Sequence, residues 1–173
     1  MSEISKQSLI KRILLNAPII LLFVSVLNEF DFNYLGSKYF SFNFVYILIF
    51  YCSLKKNINL GYGLIFLAGI INDVVTNIPI GLSSLGYLLI CVTAAYLRTI
   101  TLRPSLLKDW IYFLFTILVV NSFMYILSTL IFSLSIEYSD LLINIFFTFL
   151  LYLIFYYLFE TYEKKIIGIP NAQ

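Results

Sequence analysis

Six long, almost uncharged apolar runs dominate this chain: Ile13 to Phe30, Tyr39 to Leu54, Leu60 to Ile78, Gly81 to Leu97, Trp110 to Ser135 and Leu141 to Phe159. A helix that crosses the hydrocarbon core of a bilayer needs ~20 apolar residues, range about 17–25. Six crossings take roughly 120 of the 173 residues. What remains suffices for short loops and two short tails. The expectation is one polytopic, all-α membrane domain over residues 1–173. The runs are too long and too unalternating for barrel strands. The first two are short for a span, which calls for tilt or a thinned bilayer.

Composition agrees. Apolar types make up 61% of the chain and charged residues 12%, against about 45–50% and ~25% in ordinary soluble domains. Mean hydropathy is +0.96. A small domain buries only ~70% of the surface its unfolded chain exposes, so water cannot be the solvent for these side chains. That reading excludes a soluble enzyme and a disordered chain. The first run follows Lys6, Lys11 and Arg12, as in a signal peptide, but Asn28-Glu29-Phe30-Asp31 lacks a small-residue cleavage pattern. A retained helix is expected, with Pro18 near its start.

Basic residues set the orientation. With the N-terminus inside, ten of the eleven Lys and Arg fall in inner segments, and only Lys38 falls outside. Glu29, Asp31, Glu137 and Asp140 lie in outer loops. Both termini are therefore expected in the cytoplasm. The net charge of +2 is too small to argue for nucleic acid. Arg98, Arg103 and Lys108 form a basic inner loop suited to anionic lipid headgroups. Aromatic residues at run ends, such as Tyr39, Trp110 and Tyr157, suit the membrane interface.

No catalytic, metal or cofactor site is expected. Histidine is absent, which removes the commonest metal ligand and neutral-pH proton shuttle. Cys52 and Cys91 sit inside apolar runs without metal or disulfide spacing. One acid within an apolar run supplies no acid–base pair, and there is no Gly-rich phosphate loop.

Small and polar residues recur at helical spacing, as expected of helix-packing seams in lipid. Run three carries Ile65, Gly69, Asn72, Asp73 and Thr76; run four Gly81, Ser84, Cys91 and Ala95. Run five carries Asn121, Tyr125 and Ser128; run six Asn144, Thr148 and Tyr152. The alternative to packing seams is an intramembrane polar pocket near Asn121, Tyr125 and Asn144. A carboxylate at mid-membrane costs about 2.5–3.5 kcal/mol and less near an interface. Asp73 is expected in the outer part of span three, where it could meet the N–H groups at the start of span four. Asn77-Ile78-Pro79 and Gly81 are turn chemistry, so runs three and four read as a tight hairpin.

This hairpin carries a resemblance. Gly69 lies four residues before Asp73, and Pro79-Ile80-Gly81 ends eight residues after it. That spacing, with Asn72 and Ser84 adjacent, resembles the rod shape-determining MreD family, as do the length, the six-run layout and the short basic loops. One departure is that Phe42-Asn43 stands where family members often open the second span with Pro-Asn or Pro-Asp. The resemblance implies a fold like the S-component of energy-coupling-factor transporters. It implies a non-enzymatic inner-membrane scaffold of bacterial cell elongation and peptidoglycan synthesis. Its partners would be an MreC-like single-span protein and, through it, RodA and its transpeptidase; membrane lipids surround it, and a homodimer is allowed. The alternative is a small-solute-binding, S-component-like transporter subunit, its polar groups converging on a pocket.

Overall fold

A computed structural model describes residues 16–27, 42–55, 60–101, 105–133 and 138–166, the last two by their backbone alone. Among these residues the regular structure is entirely helical. Six helices follow in order: α1 Ala17–Leu27, α2 Phe44–Leu54, α3 Tyr62–Val75, α4 Leu82–Ile100, α5 Leu106–Leu130 and α6 Tyr138–Ile166. Each lies on one of the six apolar runs. Residues 13–15, 28–30 and 39–41, the expected ends of runs one and two, lie outside the described residues, as do Lys6, Lys11, Arg12, Lys38, Arg103, Glu29, Asp31 and Glu137.

Three helices, α4, α5 and α6, are long and apolar enough to cross a membrane. α1, α2 and α3 have 11, 11 and 14 residues. At 1.5 Å per residue they span roughly 16–21 Å, short of a ~30 Å hydrocarbon core. Helix ends move for local reasons. α5 begins four residues before the expected Trp110 because Ser105 caps it, its side chain accepting from Lys108 N. α3 starts only after Gly61, whose φ of +71° is outside helical geometry.

α2 sits at the centre. Its run from Val45 to Cys52 is buried without a break, as befits a helix that is apolar all round. α1, α4 and α6 pack against it, α4 also packs on α3 and α5, and α5 packs on α6. Aromatic rings fill the seam between α2, α5 and α6. Phe113 stacks on Tyr152 at 4.4 Å, and Phe50 tilts against Phe113 at 5.0 Å. Trp110 stacks on Phe149 at 4.5 Å and donates Nε1–H to that residue's carbonyl at 3.0 Å. The outward faces are the reverse of a water-soluble surface: Phe115, Val119, Leu130, Phe146 and Ile154 are all exposed. Apolar patches of this extent mark contact with lipid or protein.

Candidate functional site

The α3–α4 corner is held by one acid. Asp73 Oδ2 accepts from Gly81 N at 2.6 Å and Oδ1 from Ser83 N at 2.8 Å. These are N–H groups at the start of α4, which have no partner within their own helix. A carboxylate there also meets the positive end of the helix dipole. The Asp73 carbonyl accepts from Ile78 N at 3.0 Å. With Asn77 at φ +54°, that bond closes α3 in a Schellman-type turn. Asp73 is fully buried, its charge met by donors as burial requires.

The neighbouring motif residues tighten the same corner. A Cβ on Gly69 would collide with the Cα, N and Oγ of Ser84, so α3 and α4 touch backbone to backbone there. Ser84 Oγ donates to Phe66 O at 3.0 Å, and Asn72 Nδ2 donates to Ser83 Oγ at 2.9 Å. Gly81 holds φ +101°, a region closed to most side chains. Pro79 supplies the carbonyl that accepts from Leu82 N at 3.2 Å. Gly69, Asn72, Asp73, Pro79, Gly81 and Ser84 thus form one cluster.

The residues expected around a polar pocket separate. A cleft of about 390 Å³ opens beside the corner, and Asn144 and Asn72 line it with Asn43, Tyr46, Ser83 and Tyr87. Asn121 and Tyr125 do not line it. Both are half-buried on α5, and Tyr125 packs edge-on against Tyr138 at 5.7 Å. The buried face of α5 runs instead through Phe113, Thr116, Ile117, Val120 and Met124, reaching Ser128.

Asn43 is the site residue the sequence reading passed over. Its Oδ1 caps α2 by accepting from Tyr46 N at 3.1 Å, and its own N–H donates to Thr148 Oγ1 at 2.9 Å. Thr148 in turn donates to Asn144 Oδ1 at 3.4 Å. Asn before an apolar run is a helix-start signal, and Phe42-Asn43 carried it. Thr148 lies ten residues into α6, so α2 begins roughly 15 Å below the start of α6. The short α2 leaves the space that the cleft occupies.

At the opposite end of the bundle a second polar group gathers. Tyr51 donates its hydroxyl to Glu163 Oε2 at 3.1 Å, Arg98 Nη1 donates to Ser53 O at 3.1 Å, and the Lys55 ammonium lies over the Tyr51 and Tyr156 rings. Asp109, in the first turn of α5, is buried nearby. In the sequence it stands just before the expected start of run five, outside the apolar segment. Cys52 and Cys91 are buried free thiols. No group of His, Cys, Asp and Glu among the described residues could hold a metal ion.

Compared with family models, curated proteins and solved structures, the chain finds no match.

Proposed function

We propose that this chain is an MreD-like, non-enzymatic scaffold of the bacterial inner membrane. It would cross six times with both termini in the cytoplasm and hold an MreC-like single-span partner, and through it RodA and its transpeptidase. One observation carries this reading: the family-like residues Gly69, Asp73, Gly81 and Ser84 bond and pack against one another. Both oxygens of the one acid are occupied by backbone donors, so the motif builds a rigid corner, not a reaction centre. The exposed apolar faces of α5 and α6 offer a partner span the packing that association in lipid relies on. Short α2 can cross because it is sheathed by protein. Irregular backbone at membrane depth is tolerated where protein or a water-filled cavity surrounds it.

The test is co-purification of an MreC-like protein with tagged wild-type chain, Asp73→Ala and Gly81→Leu, together with cell shape. Loss of partner recovery and rounding of cells in both variants is the expected result. Full recovery and rod shape in both, at normal protein levels, would remove the hairpin from the function.

The cleft favours a second reading, a subunit that binds a small solute. A ligand that raises the thermal midpoint of the purified protein at micromolar concentration would support it.

A further inference from the structure

We infer that the cleft between α2, α3, α4 and α6 is a binding site for an uncharged, sugar-sized polar group. The inference rests on the cleft being a site, as the second reading requires, and adds what it takes. Its volume of about 390 Å³ falls within the roughly 300–1,000 Å³ of small-ligand sites. Three carboxamides converge on it from three different helices or their caps: Asn43, Asn72 and Asn144. Each carboxamide carries both a donor and an acceptor, the pairing that adjacent hydroxyls of a sugar ring offer.

Local bonds leave a complementary pair of groups. Asn43 gives its Oδ1 to the α2 cap, and among the described residues no bond engages its Nδ2. Asn72 gives its Nδ2 to Ser83, and among the described residues no bond engages its Oδ1. One donor and one acceptor thus remain at the cleft. Tyr46 and Tyr87 line the cleft and lie edge to face at 5.8 Å, giving it a packed aromatic floor. No Asp, Glu, Lys or Arg lines the cleft among the described residues. A charged group entering it would lose hydration with no counter-charge, at a cost of several kcal/mol. The hydroxyls of a neutral ring lose less hydration, and hydrogen bonds to the cleft offset that loss.

A free sugar and the headgroup of a glycolipid share this chemistry. The experiment uses the full chain in phosphatidylcholine nanodiscs, free of glycoside detergents. The probes are methyl β-glucoside in solution, monoglucosyl diacylglycerol in the disc, phosphatidylglycerol as an anionic control and adenosine as a neutral heterocycle. The expected result is a raised thermal midpoint with a glucosyl probe, bound at least tenfold more tightly than phosphatidylglycerol. Response to the soluble glycoside identifies a solute site, and response to the glucolipid alone identifies a headgroup site. Asn43→Asp keeps the helix cap and replaces the free donor; it should weaken binding tenfold or more with the ligand-free midpoint kept. Asn144→Leu should also weaken binding, and Asn121→Leu should bind as wild type. Unchanged binding in Asn43→Asp, or tighter binding of phosphatidylglycerol, would overturn the inference. Binding of adenosine alone would overturn the sugar assignment and leave the second reading standing; silence from every probe would end both.

Discussion

The carboxylate of Asp73 accepts the Gly81 N–H at 2.6 Å, while the main-chain carbonyl of the same Asp73 accepts Ile78 N at 3.0 Å. One residue therefore ends α3 and begins α4. Its two carboxylate bonds, to Gly81 and Ser83, are charge-assisted. Such bonds contribute about 1.5–3 kcal/mol each. Asp73→Ala should lower stability by about 3 kcal/mol, since it also strands two donors at a half-buried helix start. Asp73→Asn keeps a single acceptor but turns its NH2 donor on the second N–H, so it should lose at least half as much. Unfolding of the purified chain in graded mixed micelles reads both; equal midpoints for wild type and Asp73→Ala would contradict this account of the corner.

Gly69 and Gly63 make a paired test on one helix. A Cβ at Gly69 meets the Ser84 backbone, whereas a Cβ at Gly63 meets nothing within 4 Å. Gly69→Ala should cost about 1–3 kcal/mol through overpacking. Gly63→Ala should be neutral or stabilise by roughly 0.5–1 kcal/mol, because alanine has the lower backbone entropy to lose in a helix. The same unfolding assay compares them, and equal effects would place the helix contact elsewhere.

This corner was legible in the sequence because its parts are local. Asp73 and Gly81 are eight residues apart, and the turn residues between them have few conformations to choose from. The cleft was not. Asn43 reaches Asn144 through Thr148, 105 residues further along the chain than Asn43. That meeting depends on how α2 lies along α6: α6 carries the stripe Asn144, Thr148 and Tyr152, but α2 is apolar all round and has no matching stripe to fix which of its sides faces it. Asn121 and Tyr125 show the same limit. Their spacing of four places them on one face of α5, but spacing alone does not say whether that face turns inward. The depth of α2 was hidden too, because run length measures apolar sequence and takes no account of where Asn43 caps the helix.

Asn43 joins the α2 cap to α6, so its loss should be felt in both stability and the cleft. Removing an Asn cap costs about 0.5–2 kcal/mol, and Asp caps as well as Asn. Asn43→Ala should therefore fall in that range, and Asn43→Asp should unfold at nearly the wild-type midpoint. Thermal unfolding in nanodiscs separates the two variants. Equal losses would show that the side chain does not cap α2.

The reading as a six-crossing membrane protein is tested most directly by cysteine accessibility in intact cells. The two native thiols are buried, so single introduced cysteines can be read over a low background. Leu27, Ile80 and Leu130 are exposed at one set of helix ends, and Tyr62 and Lys164 at the other. Cysteines at 27, 80 and 130 should react with a membrane-impermeant maleimide from outside. Those at 62 and 164 should react only after the cells are opened. Labelling of 62 from outside alongside 80 would mean that α3 does not cross, and the six-crossing account would be wrong.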